Sequence, residues 1–122
     1  MTAPTQGLYF VADEVLSLDD GRRRNVHDAR RPFLVLSGSR FNGDPEWLVV
    51  LGCPTSRSTQ FRTELCVRLA AGEANLPKKC WIRLPALQAI PKTELQDHTG
   101  TLAADKLREA QMRVLEYFGL IT

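Results

Sequence analysis

The chain has no run of 18 apolar residues, about the minimum for a membrane-spanning helix, so no span is expected in its 122 positions. It has no G-x-x-x-x-G-K-[ST] loop to cradle a nucleotide phosphate and no G-x-S-x-G turn to expose a hydrolase serine. Cysteine is scarce and odd in number: Cys53, Cys66 and Cys80, with no Cys-x-x-Cys pair. That excludes a disulfide framework, and the two histidines, His27 and His98, add no zinc-ligand set. Each cysteine sits in an apolar, strand-like run, which reads as three buried thiols in a reducing compartment. Neither sign of charge dominates: 16 Lys and Arg stand against 14 Asp and Glu, a net charge of +2. That balance permits a nucleic-acid partner without arguing for one, so local clustering has to carry the case. Aromatic residues are few, and Trp47, Phe61 and Trp81 have two readings, base-stacking or core. Internal repeats and low-complexity tracts are absent as well.

What is present is ordinary for a soluble domain: 43% hydrophobic and 25% charged residues. Length gives one domain, placed at residues 7–122. A chain of this size buries roughly two thirds of its unfolded surface and needs no staple to fold. Met1 to Gln6 lacks the charged-then-apolar build of a signal peptide and reads as a short disordered leader, so the expected location is the cytoplasm.

Gly7 to Ala12 is the first expected strand. Asp13 and Glu14 interrupt it before Val15 and Leu16. Ser17 to Arg30 is a long polar connection holding Asp19-Asp20-Gly21 and Arg22-Arg23-Arg24, and long loops in compact domains often carry function. The second strand is Phe33 to Leu36, with Pro32 at its entry, where a missing N–H costs no ladder bond. The third is Trp47 to Leu51, and two such continuous apolar runs argue for central strands. Phe61 to Ala71 alternates like a half-buried strand. Cys80 to Leu84 and Leu87 to Ile90 are two short strands, and Thr93 to Gly100 is irregular or a single helical turn. Leu102 to Phe118 has helical spacing at Leu107, Ala110, Val114 and Phe118, with Thr101 as cap and Gly119 as stop. The fold class is therefore mainly β: a small, strongly curved antiparallel sheet closed as a partly open barrel, with one C-terminal helix. The ends of the second and third strands bring Arg31 and Thr55 toward one site.

The order of these pieces resembles the PemK/MazF-like toxins. The matching residues are Gly7, Arg31-Pro32-Phe33-Leu34-Val35-Leu36-Ser37, Cys53-Pro54-Thr55-Ser56, and Gly100-Thr101-Leu102 ahead of the last helix. Together they span nearly the whole chain. The resemblance implies an SH3-like barrel of the PemK/MazF/CcdB kind that forms a homodimer. It also implies the toxin of a type II toxin–antitoxin system, a metal-independent endoribonuclease that cuts single-stranded RNA at short sequences and stops growth. The implied partners are that RNA and a cognate antitoxin whose acidic, disordered tail covers the RNA groove, with no cofactor and no membrane. The paired catalytic Arg and Thr of such toxins fall on Arg31 and Thr55, and an Arg used by some members on a later strand falls on Arg83. Two positions depart. The acidic residue two places after the later Arg is Pro85 here, and Pro54 abuts Thr55 directly, which makes Ser56 the alternative to Thr55.

Metal-free RNA cleavage uses the RNA's own 2′-hydroxyl as nucleophile. The site must take its proton, protonate the leaving 5′-oxygen and stabilise charge on the phosphate. Arg31 suits the last task, because a guanidinium stays charged and its planar fork matches phosphate oxygens. Thr55 and Ser56 offer hydrogen bonds, but an unassisted hydroxyl is a poor base. His27, four residues before Arg31, has the titration range for proton transfer. A solvated loop histidine is its other reading, and His98 reads as structural. Arg22, Arg23, Arg24, Arg30 and Arg57 are the RNA-binding candidates, a cluster that would make binding salt-sensitive. A solvated charge run balanced by Asp19 and Asp20 accounts for the first three equally well. The competing reading of the whole chain is a non-catalytic SH3-like barrel that binds nucleic acid or a protein target, as a topoisomerase poison does.

Overall fold

In the computed structural model, which describes residues 3–17, 30–59 and 62–121, the longest strand is β3, Val49–Ser56. Around it stand β1 (Gly7–Ala12), β2 (Arg30–Val35), β4 (Val67–Leu69), β5 (Cys80–Ile82), β6 (Gln88–Pro91) and β7 (Gln96–Thr101). Two α-helices, a single turn α1 (Ser39–Asn42) and the long α2 (Ala104–Tyr117), and short 3-10 turns complete the described set. The strand order is β4-β5-β3-β2-β1-β7, with β6 also on β3, and every pairing is antiparallel.

β3 belongs to two sheets at once. Its first half, Val49 to Gly52, pairs with β6, and its last two residues, Thr55 and Ser56, pair with β5. β2 holds its other edge from Gly52 to Pro54. The sheet therefore curls at Gly52-Cys53-Pro54 into a half-barrel. Side chains alternate across such strands, and two cores result. Leu8, Leu34 and Cys53 join Leu69, Ile82, Leu84 and, from the α2 region, Leu102 and Ala110. On the other face Val11, Phe33, Val35, Val50 and Ile90 pack together, with Leu16 folded in.

The sequence places β1 correctly and the central strands with shifted ends. β3 starts two residues later than Trp47 and runs five residues past Leu51, through a proline. Proline is tolerated there because of the register. Leu36 N donates to Leu51 O, so alternation makes Leu34–Cys53 the next exchange pair and leaves Phe33–Pro54 a pair that exchanges no bond. On its other edge Pro54 falls in the gap after the last β6 pair, Gly52–Gln88, and before the first β5 pair, Thr55–Ile82. β2 does not require the N–H that proline lacks, and beyond the β5 pairs Pro54 serves the ladder through its carbonyl alone, which accepts from Arg83 N.

Four other expectations change. Pro32 is the third residue of β2 rather than the entry to a strand. Of the alternating stretch Phe61 to Ala71, the described part, residues 62–71, contracts to β4, because Thr63 and Cys66 close a turn: Cys66 N donates to Thr63 O, and Leu65 N donates to the Thr63 hydroxyl. Such local side-chain bonds compete with a ladder. Thr93 to Gly100, expected as irregular or a single helical turn, ends such a turn at Glu94 and then supplies most of β7, a polar strand paired with β1 across two register shifts. Thr101 is part of that strand, so α2 begins at Ala104 behind Ala103, without a side-chain cap. Its far end is as expected. Gly119 takes φ +77°, Gly119 N donates to Glu116 O, and Leu120 N donates to Leu115 O, closing the last turn. Of the leader, Thr5 N donates to the Tyr9 hydroxyl and Gln6 Nε2 to Leu36 O. Among the described residues no helix is long and apolar enough to cross a membrane.

Gly52 is the tightest point of the curl. A Cβ there would lie 2.1 Å from Leu34 O and 2.5 Å from the Phe33 ring. Gly52→Ala is expected to lower stability by about 3 kcal/mol or more, read as a fall in the urea midpoint at unchanged slope.

Candidate functional site

Arg31 lies near the start of β2, opposite Val11 of β1. Its side chain runs on the Val11 side of the sheet and meets Asp13, two residues further along. Arg31 Nε donates to Asp13 Oδ1 at 2.7 Å, and Nη2 donates to Oδ2 at 2.9 Å. The pair is close to buried, with 15% of the Arg31 side chain and 4% of the Asp13 side chain exposed. Parallel N–H···O bonds of this kind fix a guanidinium in orientation as well as in position. Removing one member of such a pair is costly, about 3–5 kcal/mol, because the other charge stays behind in a poor solvent.

A third bond from Arg31 explains why it meets Thr55. Extending the β2–β3 register by one step sets Pro32 opposite Thr55, at a position where the two residues would exchange bonds. Pro32 has no N–H to give. Arg31 Nη1 donates to Thr55 O instead, at 3.1 Å, and the Thr55 hydroxyl donates to Pro32 O at 2.9 Å. Side chains thus close the seam that the proline leaves open. Of the five guanidinium N–H groups, three are used, and one remains on each terminal nitrogen.

The structure brings Arg31 and Thr55 together, through the Thr55 carbonyl. The Thr55 side chain is on the opposite face of β3, and the residue is only 2% exposed. On that face the Thr55 hydroxyl lowers the pKa of the Cys80 thiol against the larger effect of burial. Ser56 points the other way. Phe33 and Pro54 share a face, so two-residue alternation sends Arg31 and Ser56 to that face. Arg83 joins them: Arg83 N donates to Pro54 O, one step beyond the Thr55–Ile82 pair. Ser56 Oγ accepts from Ser58 N at 3.1 Å, which leaves its hydroxyl proton to donate. Arg31, Ser56 and Arg83 are therefore three donors on one side of the β2–β3–β5 junction. Ser56 and Arg83 are buried.

The remaining candidates are dispersed. Arg30 points away from Arg31, as alternation along β2 requires. Its guanidinium carbon is 4.1 Å from the centre of the Phe10 ring, and Nη1 donates to Asp97 Oδ2 at 2.7 Å. Arg57 is exposed just after β3. His98 stacks on Tyr9, ring centres 4.7 Å apart. Trp81 is buried, whereas Trp47 is half exposed and edge-on to Phe41. His27, Arg22, Arg23, Arg24 and Phe61 lie outside the described residues. Among the described residues no group of three His, Cys, Asp or Glu side chains is placed to hold a metal ion.

Asp13 is the residue that sequence reasoning missed. The available signal was the Asp-Glu pair that ends the apolar strand just before a turn. Its partner is 18 residues away, and nothing local pairs them.

Cys53 flanks the site in sequence but faces the core. Burial pushes its thiol up to about 12, and burial pushes Cys80 up to about 11 against a lowering bond from Thr55. A thiol-directed reagent at neutral pH is expected to leave both cysteines unmodified in the folded protein, and to reach them only after unfolding, as counted by mass spectrometry. The sign of the pH effect follows. Both thiols hold their protons more tightly folded than unfolded, so below the ordinary value of 9.0 they add no pH dependence. From there toward about 12 the fold loses stability, as chemical denaturation across that range will read.

The family profile described as PemK-like, MazF-like toxin of type II toxin–antitoxin system matches residues 14–118. No curated protein sequence matches significantly. Among solved structures, MazF from Deinococcus radiodurans superposes with a TM-score of 0.70 at 18% identity, covering 98% of this chain and 99% of that one. The Mycobacterium tuberculosis toxin MazF-mt6 gives 0.70 at 18% identity, covering 95% and 99%. An endoribonuclease of a mycobacterial species, solved with its cognate antitoxin, gives 0.69 at 16% identity, covering 100% and 99%. At these identities the likeness shows the fold.

Proposed function

The chain belongs to the PemK-like, MazF-like toxins of type II toxin–antitoxin systems, and on that footing we propose that it is a metal-independent endoribonuclease of single-stranded RNA, with Arg31 at its reaction centre. The observation that carries this reading is the guanidinium held by Asp13 and by Thr55 O with one N–H left on each terminal nitrogen. Two remaining donors are the number that a bidentate phosphate contact needs. Placed donors of this kind stabilise charge where it develops in the transition state, usually the largest catalytic term. Ser56 and Arg83, on the same side of the sheet, are the further donors toward the phosphate. Thr55 serves the site through its carbonyl, which fixes Arg31. The 2′-hydroxyl proton goes to a base outside this group, and His27 is the candidate. Arg30, Arg57 and the Arg22 to Arg24 run are the candidates for holding flanking phosphates.

Cleavage of a long single-stranded RNA in excess EDTA, with products ending in a 2′,3′-cyclic phosphate, is the expected result. Arg31→Lys keeps the charge but loses the fork, and kcat is expected to fall on the order of 100-fold or more. His27→Ala with RNA binding intact and cleavage lost would assign the base. RNA that stays whole with the folded wild-type protein would overturn the enzymatic reading in favour of a non-catalytic binding barrel.

Two partners complete the proposal. One is an antitoxin with an acidic tail, complementary to the arginines around the site; the mycobacterial neighbour was solved with its own antitoxin. The other is a second copy of the chain. Phe41, Trp47, Leu48, Val49 and Leu51 are exposed side by side from α1 into β3, and Leu48 is 74% exposed. A patch of that kind is unusual on a monomer. The wild-type protein is expected to be a dimer by light scattering, and Trp47→Ser combined with Leu48→Glu a folded monomer.

A further inference from the structure

Asp13 lies one residue before the matched family region and outside the residues by which the chain resembles the family, and its geometry gives it a definite task. It follows β1 directly, two residues beyond Val11 and so toward the same face as Arg31. The chain then reverses: Val15 N donates to Ala12 O, and Leu16 N donates to Asp13 O. Ser17 N donates to Gln88 Oε1, and Gln88 Nε2 returns a bond to Ser17 O, which pins the turn to β6. Leu16 sits in the core beneath it. The Asp13 carboxylate is thus held by a strand, a turn and a neighbouring strand, and the residue is only 3% exposed.

That rigid carboxylate meets the most flexible component of the site. An arginine side chain has many rotamers, and its donors point at a phosphate only in a few of them. Asp13 takes the Nε and Nη2 donors, and Thr55 O takes one on Nη1. With these three bonds made, the guanidinium plane cannot turn about Cδ–Nε or swing away, and its two unused N–H groups face a fixed direction. We infer that Asp13 is a positioning residue for the ribonuclease reaction: it touches no substrate, and it aims the free N–H groups of Arg31 at one non-bridging oxygen edge of the scissile phosphate. The inference rests on the endoribonuclease reading above. Its distinctive consequence is stereochemical. A guanidinium locked in one plane discriminates between the two non-bridging oxygens, whereas a loose one does not.

The test compares wild type with Asp13→Asn on short RNA substrates carrying a single Rp or Sp phosphorothioate at the cleavage site, with circular dichroism as the check of folding. Wild type is expected to be slowed much more by one diastereomer than by the other. In Asp13→Asn, kcat on the all-oxygen substrate is expected to fall on the order of 100-fold, as loss of positioning does, with KM within about threefold, the pattern of an interaction made in the transition state. The Rp/Sp preference is expected to collapse toward one. If Asp13→Asn fails to fold, Asp13→Glu takes its place: it keeps the charge, displaces the carboxylate by one methylene, and is expected to weaken the same preference. A folded variant with unchanged kcat, or one with lower kcat and the full wild-type preference, would overturn the inference and leave the ribonuclease reading standing. Wild-type protein that cleaves neither substrate would overturn both.

Discussion

Pro32 sits between two strands and has no N–H to give to one of them. In most sheets that defect would end the ladder. Here the neighbouring Arg31 reaches across with its side chain and donates to the carbonyl that the proline cannot serve, while the Thr55 hydroxyl donates to Pro32 O from the other strand. The seam is closed by side chains. A guanidinium placed this way has no freedom to be an ordinary surface arginine. Its other edge must be neutralised where it is nearly buried, and Asp13 does so with two short bonds. The geometry of the site follows from that one backbone defect.

This arrangement couples stability to the proposed function. The same three hydrogen bonds that hold β1, β2 and β3 together at their ends also orient the donors that remain. Loss of Asp13 or Arg31 therefore affects the fold and the site at once, and only measurements that separate binding, turnover and stereochemical preference distinguish the two. The contrast with Arg30 is instructive. It is the adjacent residue and carries the same charge, but it lies over Phe10 and pairs with the exposed Asp97. An exposed ion pair of that sort is worth at most about 1 kcal/mol. Alternation along a single strand has given two neighbouring arginines different partners.

β3 does for the fold what Arg31 does for the site. It lies in both halves of the sheet because β6 and β5 divide one of its edges between them, and the break between the two falls at Pro54. Gly52 admits the close approach of Leu34 and Phe33 that the curl needs. The curl then carries Ser56 and Arg83 to the side on which Arg31 ends. Beyond the curl, the start of β3 and the residues before it leave Trp47, Leu48, Val49 and Leu51 uncovered, the surface proposed for a second copy.

The sequence by itself determined the mainly β class, β1, the central position of β2 and β3, the last helix with its glycine stop, and the pairing of Arg31 with Thr55. These are legible because they rest on periodicity, on local turn chemistry and on the order of short motifs along the chain. Only the tertiary structure decided which atom of Thr55 faces Arg31, that Ser56 and not the Thr55 hydroxyl shares its side, and that Asp13 holds it. It also decided that residues 62–71 yield only a three-residue strand and that Thr101 ends a strand instead of capping a helix. The reason is common to all of these. Each depends on register between strands distant in the chain, and a shift of one residue moves every side chain to the other face. Side chains such as Asp13 and Arg31, 18 positions apart, find each other only after that register has been set.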